Sequence, residues 1–216
     1  MKPVCLVLGA GAGIGGTVAA KFASEGYHSY LCRRSDQEGL DKLIKGIEDA
    51  GGSASGSLLN AIEEDVLEEL ITKVESDVGP IEVLVYNLGA QTGMKLLSQT
   101  THKEFEWGWR MASFGLFRVA KVLCPIMAER GKGTFLVTSA TAAMRGNATQ
   151  HSHAAAMGAR RMLCQSLNAE FAPKGIHVSH IVVDGAVDAP DTLGKMLGPE
   201  MYQQLRETKG MEHDGL

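Results

Sequence analysis

The sequence predicts an α/β domain, a parallel sheet doubly wound by helices on both faces, and three observations predict it. Strand-like and helix-like segments alternate along the chain. The first apolar run breaks into Gly9-Ala10-Gly11-Ala12-Gly13-Ile14-Gly15-Gly16 and continues as a helical pattern. No internal repeat, linker or low-complexity tract interrupts the alternation, so residues 1–216 read as a single domain.

Each element follows from its own pattern. Val4–Leu8 is the first strand, and residues 17–24 continue the glycine turn as a helix. Residues 28–32 form the second strand. Residues 36–50 form a helix with Leu40, Leu43, Ile44 and Ile47 on one face. A weak third strand covers residues 53–59. Residues 65–78 place Val66, Leu70, Ile71, Val74 and Val78 at helical spacing before Gly79-Pro80 ends the helix. Residues 83–86 make a compact buried strand, 105–129 a long helix, 135–137 the fifth strand, 154–171 a further helix and 177–183 the sixth strand.

Composition excludes several functions. With 44% hydrophobic and 21% charged residues in 216, the chain is long and apolar enough to bury a sizeable core. Its net charge is −4, and no basic cluster exceeds Arg33-Arg34 or Arg160-Arg161, so no nucleic-acid partner is expected. No apolar stretch approaches the roughly 20 residues of a membrane helix, so no membrane partner is expected either. The apolar run after Lys2 is too short for a signal peptide and reads as a strand. Cys5, Cys32, Cys124 and Cys164 lack metal or redox spacing. Buried thiols in a cytoplasmic protein, with no metal, are the expectation.

The glycine turn carries the chemistry. Glycine lets a backbone approach phosphates with no Cβ in the way, and the following helix presents free N–H groups and a positive dipole end. That arrangement suits a pyrophosphate. Two registers fit, Gly9-x-x-x-Gly13-x-Gly15 and Gly11-x-Gly13-x-x-Gly16. The first is preferred because Gly9 directly follows the strand.

With Tyr86-Asn87-Leu88-Gly89 after the fourth strand, and Ala169-Glu170 ahead of Lys174-Gly175-Ile176-His177-Val178, residues 2–190 resemble the short-chain dehydrogenase/reductases. The resemblance implies a Rossmann-like three-layer sandwich. It implies that Gly9, Gly13, Ile14 and Gly15, with Gly11 in the second register, line the pyrophosphate of a dinucleotide. Asn87 and Gly89 would flank the adenosine ribose, and Asn60 would meet adenine. Cys32 stands where an acid would hold the ribose 2′-hydroxyl of NAD, and Arg33 follows. A guanidinium without a neighbouring carboxylate suits a 2′-phosphate, so NADP is expected over NAD, with Arg34 assisting. Asp184-Gly185 replaces a Pro-Gly turn, leaving Gly185 and Val187 as cofactor contacts.

The family's proton-transfer tetrad is Asn, Ser, Tyr and Lys, and here the chain departs from it. Counting back from Ala169-Glu170 puts His153 at the tyrosine and Met157 at the lysine; Ala112 falls at the asparagine. An ungapped count puts Ala140 at the serine, whereas a one-residue gap brings in Ser139. His153 is suited to proton transfer near neutral pH. The plainer expectation, and the favoured one, is that a helix-start histidine caps the helix or faces solvent. Met157 is expected to pack. Trp107 and Trp109 lie on different helix faces, at least one of them in the core or an interface.

The substrate pocket is expected from residues 91–97, 142–146 and the segment after Ala186, with a helix over residues 192–209 above it. By the resemblance the family's final helix and strand are expected to be missing here, through truncation or through omitted disordered residues, and a missing strand would leave the sixth strand as an edge. By resemblance the chain forms a homodimer or homotetramer through helices 105–129 and 154–171. The function expected is a divergent NADP-linked oxidoreductase acting on a small carbonyl or hydroxyl substrate. The alternatives are a catalytically silent dinucleotide-binding pseudoenzyme, serving as sensor or partner subunit, and a scaffold without cofactor.

Overall fold

The computed structural model describes residues 1–89, 94–208 and 211–212. Six parallel strands form one sheet in the order β3-β2-β1-β4-β5-β6: β1 Val4–Leu8, β2 His28–Arg33, β3 Ser53–Leu58, β4 Ile81–Tyr86, β5 Gly133–Ala140 and β6 Ile176–Val183. The predicted doubly wound sheet is present. The order reverses between β1 and β4, so the chain crosses in opposite directions on either side and leaves a crevice at the strands' carboxyl ends.

All five β1 side chains are buried because helices cover both faces of the sheet. Leu6 and Leu8 join the layer formed with Leu67, Ile71, Leu116 and Leu123, whereas Cys5 and Val7 face Ala19, Leu40 and Ile47. Each fully buried Leu or Ile contributes about 1.5–3 kcal/mol of transfer free energy. At the far edge only Ile176 and Val178 of β6 are buried, and Ile181 and Val182 are exposed. Among the described residues β6 pairs with β5 alone in this sheet. A separate two-stranded ribbon joins β7, Ala186–Val187, to β8, Met211–Glu212.

Three of the helical runs start earlier than their sequence patterns, whereas the second and third helices are shorter by a residue at each end. α1 spans Ile14–Ser24, beginning three residues before the expected start because the glycines at 15 and 16 pack into the turn. α2 covers Gln37–Asp49, capped by Asp36, whose Oδ1 accepts from the Gly39 N–H at 2.9 Å. α3 covers Val66–Asp77. The expected long helix is three segments: α4 His102–Trp109, a wide π turn over Arg110–Phe114, and α5 Gly115–Arg130. A capping box between Thr101 and Glu104 starts it. Trp107 packs against the core, and the exposed Trp109 stacks on Phe114.

This run, residues 102–130, is long and apolar enough to cross a membrane by length and composition, contrary to the expectation that no stretch approaches that length. Burial of 61% of its most apolar stretch inside the fold gives the apolarity another cause. α6 spans His151–Phe171, starting three residues early. The predicted helix over 192–209 is broken: a wide turn at Pro190–Gly194 leads into α7 Lys195–Leu197, and Gly198 with φ +81° separates α8, Pro199–Glu207.

Gly175 ends the turn before β6 with φ +81°, and a Cβ there would collide with the carbonyl oxygen of Gly131. Gly175→Ala should therefore lower stability by about 1–3 kcal/mol, a fall in Tm of roughly 2–12 °C for a chain of this size. Calorimetry checks this, with no change expected in ligand binding at the distant cleft.

Candidate active site

The carboxyl ends of three strands are tied together by one side chain. Gly9 leaves β1 with φ +96°, and a Cβ there would lie 2.6 Å from the Asn87 carbonyl oxygen. Only glycine permits that approach. The Asn87 N–H donates to Leu8 O at 2.8 Å, its Nδ2 to Gly9 O at 2.9 Å, and its Oδ1 accepts from Thr138 Oγ1 at 2.7 Å. Beyond the turn Gly13 occupies the N-cap of α1 without a side-chain cap, and no acid lies in the first turn. The positive end of α1 thus faces an opening lined by glycine.

That opening is one end of a cleft of about 520 Å³. It brings together Gly11, Gly13, Ile14 and Gly15 of the turn, Asn87 and Gly89 after β4, Ser139 of β5, His153 of α6, and Gly185 and Val187 after β6. Ten of the fourteen residues singled out in the sequence therefore share one cavity. Gly9, Arg34 and Asn60 instead line a small adjoining crevice with Cys32, and the Asn60 amide donates to Glu63 Oε1 at 2.9 Å. Arg33 lies at this crevice and at a second cleft of about 580 Å³ beside α1 and α2, with Lys42, Lys195, Asp36 and Glu38. Burial raises the Cys32 thiol to about 12, so it is uncharged.

Three expectations change here. Arg33 does have a neighbouring carboxylate: its Nη2 lies 2.7 Å from Asp36 Oδ2. A left-handed backbone at Asp36, φ 73°, underlies this local turn, and glycine at 39 leaves the pair its space. His153 neither caps nor points away. α6 begins at His151 with Gln150 as a non-bonding cap, so His153 sits in the first turn, half-buried against the cleft. Of the expected pocket segments, the one after Ala186 lines the cleft, but residues 94–97 and 142–146 do not. Residues 91–93 lie outside the described residues.

Met157 is buried with Ala112, Ala142 and Ala156, the packing role expected of it, and Ser139 Oγ lies 3.6 Å from its sulfur. Both Ser139 and Ala140 line the cleft.

Arg160 is the residue that sequence reasoning missed. It is 2% exposed. Its Nε donates to Ala112 O at 2.9 Å, Nη1 to Thr138 O at 2.7 Å and Nη2 to Leu88 O at 2.7 Å, and its guanidinium lies 5.1 Å from the centre of the Tyr86 ring. The π turn supplies two carbonyls to side-chain donors: Ala112 O to Arg160 and Met111 O to the Tyr86 hydroxyl at 2.5 Å. The available signal was spacing, since Arg160 follows Met157 by three residues and His153 by seven, on one helix face. In the sequence it registers only as half of the short basic pair Arg160-Arg161.

A parallel sheet whose first strand feeds a glycine turn and a helix N-terminus, with a cleft where strand order reverses, defines a Rossmann-type nucleotide-binding domain. The chain belongs to the short-chain dehydrogenase family of oxidoreductases, whose model, described as short chain dehydrogenase, matches residues 3–194. It is 29% identical over 205 residues to the 3-oxoacyl-[acyl-carrier-protein] reductase FabG of Thermotoga maritima, covering 95% of this chain and 80% of that one. A crystal structure of a short-chain dehydrogenase from Rhodopseudomonas palustris matches with 31% identity and a TM-score of 0.79, over 95% of this chain and 92% of that one. A 7α-hydroxysteroid dehydrogenase complexed with NADH and 7-oxoglycochenodeoxycholic acid matches with 25% identity and a TM-score of 0.84, over 95% and 78%.

Arg160 also sets the charge state around it. Burial first, then the charges of Arg160 and Arg161, lower the pKa of His180 on β6 below its ordinary 6.5. Burial and Lys2 do the same to His28. An imidazole with a depressed folded pKa binds fewer protons folded than unfolded, so its stabilisation is complete above about 6.5 and is lost as pH falls below it. The Tm should therefore drop between about pH 7.5 and about pH 5.5, and His180→Asn should flatten that slope in a thermal melt series.

Proposed function

We propose that this chain is an NADP(H)-linked oxidoreductase that interconverts a carbonyl and a hydroxyl group on a small substrate. The observation that carries the reading is the continuity of one cleft from the uncapped N-terminus of α1 to Ser139 and His153. The glycine end suits a pyrophosphate, which the helix dipole and its unpaired N–H groups favour. A bound nicotinamide cofactor supplies the hydride. Gly185 and Val187 would border its nicotinamide half, and Asn87 and Gly89 the ribose nearer the turn.

NADP is favoured over NAD by Arg33, the third residue of the reading. It lies beside a cleft with Lys42 and Lys195, so cations outnumber the two acids Asp36 and Glu38. The Asp36 carboxylate holds the guanidinium in place and also competes with a 2′-phosphate for it. Asn60 and Arg34 would border the adenine in the adjoining crevice.

His153 is the group proposed to pass the proton to or from the substrate oxygen. Imidazole does so efficiently near neutral pH, and this one is half-buried in the cleft. Ser139 is proposed to orient the carbonyl. Met157 has no donor for a ribose hydroxyl, so cofactor orientation falls to backbone groups and to packing. Self-association belongs to the same reading. Trp109, Phe114 and Phe117 form a continuous stacked ridge across α4, the π turn and α5, and Trp109 and Phe117 are exposed.

Calorimetry with NADPH and NADH tests the cofactor. Arg33→Ala should weaken NADPH binding about tenfold or more while leaving NADH within about threefold, since it removes a charge-assisted contact. Asp36→Asn keeps the helix cap and frees the guanidinium, so NADPH binding should tighten. Absence of binding by either nucleotide would overturn the proposal.

His153→Phe should lower kcat for NADPH-dependent carbonyl reduction by about 10²-fold or more with cofactor affinity kept. Unchanged turnover would remove His153 from the reaction, and binding without any turnover across a carbonyl panel would mark the protein as a dinucleotide binder alone.

A further inference from the structure

The segment after β6 borders both clefts. Leu193, in the wide turn at Pro190–Gly194, lines the first cleft with Ala186, Val187 and Ala189. Lys195, two residues on in α7, lines the second with Arg33 and Lys42. Every other described residue lining that second cleft falls within residues 12–47, so Lys195 is the one contribution of the late chain to the wall of the nucleotide-binding half. The segment is also tied to itself. The Gly194 N–H donates to Ala189 O at 3.1 Å, and the Tyr202 ring packs on Gly194, where a Cβ would lie 3.4 Å from it. Asp188 accepts from the Tyr202 hydroxyl and pairs with Arg206 Nη2 at 3.3 Å. A piece braced in this way passes a restraint at Lys195 on to Leu193 and the first cleft.

Arg33 is the one described residue shared by the second cleft and the crevice of Asn60, and Ala12 brings the glycine turn to the same cleft. With pyrophosphate on the turn and adenine in the crevice, the ribose between them would lie beside Arg33 and turn its 2′-substituent to the second cleft. The charged side chains lining that cleft are Arg33, Lys42 and Lys195 against Asp36 and Glu38. A 2′-phosphate adds about −1.5 to −2 charges at neutral pH, which draws the three cations together. We propose that Lys195 is a specificity-determining residue for the 2′-phosphate, and that its contact couples cofactor choice to closure: NADP(H), and not NAD(H), fastens the 188–207 segment against the first cleft. The inference rests on the dinucleotide reading above and deepens it by giving the 2′-phosphate a second role. Coupling is reciprocal, so the factor by which Lys195 tightens the phosphorylated nucleotide is the factor by which the phosphate favours the fastened segment.

The test compares 2′-phospho-ADP-ribose with ADP-ribose on the intact chain, two probes that differ by the 2′-phosphate alone and lack the nicotinamide. Calorimetry gives their dissociation constants, and hydrogen exchange at saturation gives the protection of residues 193–206. The phosphorylated probe should slow that exchange about three- to tenfold and ADP-ribose by less than about twofold. Lys195 is exposed, so its replacement leaves the fold in place. Lys195→Met should weaken the phosphorylated probe by the same factor of about three to ten, leave ADP-ribose within about twofold, and lose the protection. Lys195→Arg keeps the charge and should keep both. Lys42→Met separates the two roles, because a cation on α2 can add affinity without fastening the segment, and protection at saturation should persist. Higher salt should shrink the preference of the wild type, since an exposed charge is screened. Equal protection by the two probes, whether full or absent, or protection undiminished in Lys195→Met, overturns the assignment while leaving the cofactor reading intact. Failure of both NADPH and NADH to bind the wild type overturns the cofactor reading itself, and this inference with it.

Discussion

The ends of β4 and β5 and the π turn depend on the burial of one guanidinium. Arg160 reaches from α6 to the carbonyls of Leu88, Thr138 and Ala112, and so sets the spacing of β4, β5 and the π turn with a planar fork of fixed geometry. A buried charge is tolerated only when its donors are satisfied, and here backbone oxygens rather than an acid satisfy them. Tyr86 completes the arrangement, with its ring under the cation and its hydroxyl on Met111 O. Gly115 belongs to it as well, because a Cβ there would fall on the Tyr86 hydroxyl. Removing the guanidinium strands three buried acceptors at once, which is why the residue carries more than its own contacts.

The glycine half depends instead on what is missing. Gly9 and Gly15 lie so close that the turn folds back on itself, and the Asn87 amide then locks it against β4 and β5. A helix N-terminus without a side-chain cap or a first-turn acid leaves its partial charge uncompensated. The cleft thus has positive potential of two origins, a dipole end at the turn and the buried Arg160 among its lining residues. His153 and Ser139 sit in the cleft that joins them.

A third feature is the Arg33–Asp36 pair, held within a short loop. The pair holds a guanidinium at the edge of the second cleft with its side chain only 16% exposed. An arginine restrained in this way loses less rotamer freedom when it meets a ligand, but must give up its present partner to do so. The balance between those two effects decides the strength of any 2′-phosphate contact.

The alternation of buried strands with amphipathic helices determined the parallel sheet, and the glycine turn after β1 located the cleft. Both are local patterns, legible because strand burial and turn geometry constrain neighbouring residues directly. The sequence also identified most of the cleft lining, since strand ends converge wherever a doubly wound sheet reverses. It did not reveal the Arg33–Asp36 pair, which needs the left-handed turn at Asp36, nor the inward position of His153, which follows from α6 starting at His151. The role of Arg160 was decided by tertiary structure alone. Its partners lie 22 to 72 residues away in the chain, and a buried cation is distinguishable from a solvated one only when the carbonyls that receive it have been brought together.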